Sequence, residues 1–137
     1  MESDNKYRWF YSFKCAFEAE KYLMCITNKW LRGMFARFRL RACGLISHKQ
    51  WFSTKQQGDF TCPMCSHERE DEIHFVFHCQ AYTDLRKNYS IFDSPIVQSG
   101  INYLRALHAS KNETKIIALA KYITKAMKVR RNKVENI

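Results

Sequence analysis

Residues 61–79 read TCPMCSHEREDEIHFVFHC, and three cysteines and three histidines fall within these nineteen positions. Cys62-Pro63-Met64-Cys65 is a two-cysteine knuckle whose tight turn can face backbone amides toward both sulfurs. A tetrahedral metal such as zinc needs two more ligands, and His67, His74, His78 and Cys79 are the candidates. His67 follows Cys65 too closely to reach the opposite corner. His74 comes after eight intervening residues, enough chain for a loop to return. Two closures then fit: C-x2-C-x8-H-x4-C, through Cys62, Cys65, His74 and Cys79, or C-x2-C-x8-H-x3-H, in which His78 replaces Cys79. The first is preferred, because four residues between His74 and Cys79 suit a wide turn or the start of a helix. The competing explanation, ordinary buried Cys and His, fits poorly with so many ligand types at matching spacing.

A shell of three thiolates and one imidazole leaves no open position for water, so the expected metal is one structural Zn2+ and not a catalytic one. Glu68, Glu70, Asp71 and Glu72 are then expected to form a solvated face, with Ile73, Phe75, Val76 and Phe77 packing inward. Cytosine deaminases also use a Cys-x-x-Cys pair, but their histidine sits in an H-x-E motif before it. The one histidine before Cys62 is His48, followed by Lys49 and Gln50, which excludes that chemistry. A His-Cys nuclease lacks a convincing His-Asn pair.

The finger is an acidic island between basic flanks. Residues 1–60 carry eleven Lys/Arg against five Asp/Glu, residues 61–92 three against five, and residues 93–137 nine against three, for a net +10. On the N-terminal side, Lys14–Ile26 has apolar positions at helical spacing (Phe17, Leu23 and Met24, with the small Cys15 and Cys25). Asn28 is an N-cap for NKWLRGMFARFRLRAC. On that helix Trp30, Leu31, Met34, Phe35, Phe38 and Ala42 form one apolar stripe. Gly33 costs about 1 kcal/mol there relative to Ala, which is read as a sign of close packing. Residues 44–61 read as irregular, with a short extended stretch around Lys49–Ser53.

Beyond the finger, AYTDLRKNY reads as a short helix and DSPIVQSGINYLRALHA as another, with Pro95 suited to its start. The last helix begins at Asn112 or Glu113 and runs through TKIIALAKYITKAMKVRR. Ile116, Leu119, Ala120, Ile123, Ala126 and Met127 line its buried face; Lys121, Lys125 and Lys128 line the opposite one. Four Gly and two Pro in 137 residues leave few tight turns, which favours helices over a many-stranded sheet. The expected fold is mainly α: one small helical domain over residues 1–137, stapled by the Cys-Cys-His-Cys element. Cys15, Cys25 and Cys43 are expected in the core.

No run approaches the roughly 18 apolar residues needed to span a bilayer, and the polar start MESDNKYRWF has no signal-peptide core. The expectation is an intracellular protein of the nucleus or cytoplasm, with reduced cysteines. No membrane partner and no small-molecule substrate are expected.

FARFRLRACGLISHK (residues 35–49) followed by CPMCSHEREDEIHFVFHCQAYTDLR (residues 62–86) resembles the C-terminal segment of reverse transcriptases from non-LTR (LINE-type) retrotransposons. There an Arg-rich "RFRL"-like helix precedes a Cys-Cys-His-Cys element, an acidic stretch and a "Y-LR" helix. The resemblance covers Phe35 to Arg86, and the final helix is similar in style. It implies zinc ligands at Cys62, Cys65, His74 and Cys79, in a module that binds the element's RNA or target DNA as reverse transcription starts. No Tyr-x-Asp-Asp polymerase motif is present, so the chain is either a detached tail or a derived stand-alone protein. No enzymatic activity is expected of it.

Phosphate contacts dominate nucleic-acid affinity, and the acidic finger is a poor place for them. Two basic helix faces are the expected contact surface: Lys29, Arg32, Arg37, Arg39 and Arg41 on one, and Lys121, Lys125, Lys128, Arg130 and Arg131 on the other. Trp51, Phe52 and Tyr82 are candidates to stack on unpaired bases. The alternative is a protein–protein adaptor with structural zinc, docking through the acidic loop or an apolar stripe.

Overall fold

A computed structural model describes residues 21–46, 60–93, 100–108, 110 and 112–135. These form five α-helices: α1 Lys21–Cys25, α2 Lys29–Arg39, α3 Thr83–Arg86, α4 Ile101–His108 and α5 Glu113–Glu135. A π-helical turn at His74–His78 and short 3-10 turns at Gln80–Tyr82 and Ser90–Phe92 complete the set, with no strand among the described residues. The fold is mainly α, as the scarcity of Gly and Pro predicts. The calls on Cys15, Lys49–Ser53, Trp51, Phe52 and Pro95 lie outside the described residues.

The long helix α5 organises the rest: α1, α2, α3 and α4 all pack against it. Asn112 caps it by accepting from the Lys115 amide at 3.3 Å. Its predicted inner face of Ile116, Leu119, Ala120, Ile123, Ala126 and Met127 is buried throughout, joined by Tyr122. The phenol of Tyr122 donates to the Phe75 carbonyl at 2.6 Å and so ties the metal-element loop to the helix. Around it Phe75, Tyr82, Phe77, Phe92 and Tyr103 make a chain of edge-on and tilted ring contacts at 4.9–6.1 Å. That geometry is the one aromatic quadrupoles favour.

Helix α2 starts where the sequence places it. The Asn28 side chain accepts from the amides of Trp30 at 2.9 Å and Leu31 at 3.2 Å. Its buried face is rotated from the predicted stripe. Phe35 and Phe38 are buried, Leu31 and Met34 are half-buried, and Trp30 and Ala42 are exposed. Arg39 is buried in their place. Its guanidinium lies 5.0 Å from the Tyr22 ring centroid and 5.7 Å from that of Phe35, and it donates to the His108 carbonyl at 2.9 Å. Cation–π contact and a charge-assisted hydrogen bond offset the desolvation of this cation.

The helix ends at Arg39, before Ala42, in a left-handed cap. Arg41 has φ +54°, and the Ala42 amide reaches back to the Arg37 carbonyl at 2.8 Å. Gly33 does not mark close packing: a Cβ built there would meet only the Arg37 guanidinium, at 3.9 Å.

Candidate metal centre

The cysteine knuckle is built by its backbone. The Cys62 amide donates to the Glu68 carbonyl at 2.7 Å, and the Glu70 amide to that of Phe60 at 3.0 Å, closing a small hairpin. The Ser66 amide donates to the Cys62 carbonyl at 2.9 Å, with Ser66 itself at φ +61°. This left-handed residue turns the chain so that the next amides face a sulfur. Burial pushes the Cys65 thiol up, but the amides of His67 and Glu68 outweigh it and bring it down to about 6. Burial pushes Cys62 up as well, and Cys79 up to about 12. Those two sulfurs stay protonated unless a cation stabilises the anion.

The return to the cysteine knuckle uses the π-helical turn. The Cys79 amide donates to the His74 carbonyl at 2.8 Å, five residues back. In an α-helical turn His74 and His78 would share a face. The wider turn instead sends His78 to solvent and brings Cys79 inward, where it is fully buried. This places Cys79, and not His78, with the other three residues. The ligand atoms of Cys62, Cys65, His74 and Cys79 all lie within 4.8 Å of one another.

Two edges test the fit. Tetrahedral zinc with bonds of about 2.3 Å to sulfur and about 2.0 Å to nitrogen has S–S edges of about 3.8 Å and S–N edges of about 3.5 Å. The Cys62 and Cys79 sulfurs are 3.9 Å apart, and the Cys65 sulfur is 3.4 Å from His74 Nε2. The four residues can hold a metal ion.

Surrounding groups position them. His74 Nδ1 lies 3.1 Å from Glu68 Oε2, which leaves Nε2 to face the sulfurs. A carboxylate behind a ligating histidine is the usual way to fix its tautomer. Asp71 accepts from the His74 amide at 2.8 Å and starts the turn. Glu70 is fully buried, 3.8 Å from the Cys62 sulfur, and held by Arg130 in a bidentate pair at 2.7 and 2.8 Å. It also accepts from the Ile46 amide at 2.9 Å. Lys133 donates to the Met64 carbonyl inside the knuckle at 2.8 Å. Arg86 donates to the Cys79 carbonyl and, at 3.3 Å, to the Tyr122 hydroxyl.

Several sequence expectations need correction. The acidic loop is not a solvated face: Glu70 and Glu72 are buried, Asp71 is half-buried, and of the four only Glu68 is exposed. Arg130 belongs to the metal element and Arg39 to the core, so neither faces a ligand from solvent. Arg41 lies 2.7 Å from Glu72, and Arg32 is half-buried and donates to the Ile26 carbonyl at 3.1 Å. Tyr82 is buried and offers no stacking face. Lys29, Arg37, Lys121, Lys125, Lys128 and Arg131 remain exposed. The role of Glu68 was within reach of the sequence, since a ligating histidine calls for a carboxylate nearby; that of Glu70 was not, because its partner Arg130 is sixty positions away. Arg130 and Lys133 were not, because their partners are more than fifty positions away.

Among the described residues no helix is long and apolar enough to cross a membrane. No family model matches the chain, and no curated protein or solved structure matches it.

Proposed function

We propose that this chain is a non-enzymatic nucleic-acid-binding module in which one structural zinc holds the basic helices in place. Cys62, Cys65, His74 and Cys79 are its ligands, and RNA or DNA phosphates meet the basic helix faces. The filled shell of three sulfurs and one imidazole supports a structural metal over a catalytic one. The reading also fits the C-terminal tail of a LINE-type reverse transcriptase, working in the nucleus or cytoplasm.

The observation that carries it is the outer face of α5. Lys121, Lys125 and Lys128 are all exposed there, and the acids of the helix, Glu113 and Glu135, stand at its two ends. Meanwhile Glu70 and Glu72 of the finger are buried against Arg130 and Arg41. The outer face of α5 is left cationic, as a phosphate backbone requires.

Anisotropy of labelled single-stranded RNA, single-stranded DNA and duplex DNA tests the reading across a salt series. Each phosphate contact contributes about 0.7 to 0.9 to the log–log salt slope. Changing Lys121, Lys125 and Lys128 together to Ala should lower the slope by roughly 2 to 3. No binding of any of the three at moderate salt sinks it. The exposed apolar residues Leu23 and Met24, 50% and 72% accessible, favour a second reading as a protein-docking adaptor, whose binding would be nearly insensitive to salt.

A further inference from the structure

Trp30 is 76% accessible, the most exposed large hydrophobic side chain among the described residues. It sits in the first turn of α2, beside exposed Lys29, on a helix that contains no acidic residue. Positions 30, 33 or 34, and 37 follow one another along a single helix face. Gly33 has no side chain, so the ground between Trp30 and Arg37 is bare backbone on one side, with half-buried Met34 on the other. Arg37 folds back over it: its Nε lies 3.4 Å from the Gly33 carbonyl, and its Nη2 would be 3.9 Å from a Cβ at Gly33. Three residues of helix rise span about 4.5 Å, so Arg37 reaches back toward the turn that carries Trp30.

We propose that Trp30, Gly33 and Arg37, with Lys29, form a stacking site for an unpaired base and its phosphate. The proposal rests on the nucleic-acid reading above and narrows its ligand to single-stranded RNA or DNA. An indole offers every base a flat π-face without sequence preference. The neighbouring guanidinium and ammonium suit the charge that travels with each base. A duplex keeps its bases stacked internally and cannot present one to the ring. The charge around the ring favours a nucleic acid over an apolar protein helix: the exposed neighbours of Trp30 on α2 are cations, and Met34 is half-buried.

The test compares a labelled oligouridine, an abasic strand of equal length and charge, and duplex DNA, titrated into the zinc-loaded full chain. The wild type should prefer the base-bearing strand. Trp30→Ala should bind it roughly ten-fold more weakly, with the abasic affinity and the salt slope unchanged; Trp30→Phe should recover much of the loss. The triple lysine variant should instead weaken both strands alike. Full base-strand affinity in Trp30→Ala, with the lysine variant impaired, overturns the stacking site and leaves the nucleic-acid reading standing. An equal loss on the abasic strand also overturns it, because the indole would not be reading a base. A wild type that binds none of the probes overturns both. Because the side chain is exposed, the melting temperature of Trp30→Ala should match the wild type and exclude misfolding.

Discussion

Arg130→Met should be the most damaging single change outside the four metal ligands. Arg130 and Glu70 form a bidentate pair at 2.7 and 2.8 Å, with side chains 8% and 0% accessible. Removing one partner of such a pair leaves a buried charge and costs about 3–5 kcal/mol. The cost should be near the upper end, because the stranded carboxylate lies 3.8 Å from the Cys62 sulfur. For a domain of this size that is a fall in Tm of roughly 10–20 °C. Glu70→Gln combined with Arg130→Met should recover most of the loss. The glutamine carries no charge and its oxygen still accepts from the Ile46 amide, which Glu70 now satisfies at 2.9 Å. Both variants and the parent would be melted at one saturating zinc concentration, so that the binding contribution stays fixed. A loss of under about 1 kcal/mol for Arg130→Met is the size of an exposed ion pair and would refute the buried-pair argument. So would a double variant no more stable than the single one.

Cys79→Ser should release the metal in a chelator competition while His78→Ala retains it, and the opposite pattern would reassign the fourth ligand. Gly33→Ala should raise stability by about 0.5–1 kcal/mol, since the new methyl meets only the tip of Arg37; a destabilised variant in urea would show hidden crowding. His108 is buried against Phe35 and Phe38, and desolvation, with the Arg39 charge, holds its pKa well below 6.5. Below pH 6.5 the unfolded chain therefore binds a proton that the folded chain refuses, and stability falls with falling pH. His108→Gln should lose stability less steeply as pH falls there, by up to about 1.4 kcal/mol per pH unit; unfolding curves at pH 7.5, 6.5 and 5.5, compared with the parent, measure the difference.

The parts of the fold legible in the sequence are those set by local chemistry. The Asn28 cap, the inner face of α5 and the knuckle spacing each depend on residues a few positions apart. Arg39 shows where such reading stops: by charge it belongs to the solvent face, yet it lies four residues after Phe35 on the border of the apolar stripe, and Tyr22 and Phe35 supply rings for its guanidinium. Trp30 is the mirror case, apolar by type but left in solvent because the buried face turns toward Arg39. The same holds at the site. The candidate ligands follow from spacing, and a π-helical turn is what brings Cys79, and not His78, into the cluster. The acids read as solvated because Arg41 and Arg130, which bury Glu72 and Glu70, are distant in sequence.

The hold of α5 on the knuckle sets how far the finger can be treated as a separable unit. An excised peptide of residues 60–93 would keep all four residues of the cluster, together with Glu68 and Asp71. It would lose Arg130, which neutralises Glu70, Lys133, which caps the Met64 carbonyl, and Tyr122, which holds the Phe75 carbonyl. An uncompensated carboxylate would then stand beside the Cys62 sulfur. Domain boundaries drawn around the cysteines alone would cut through the structure that makes the cluster electrostatically tolerable, and a graft of this finger should carry α5 from Tyr122 onward with it.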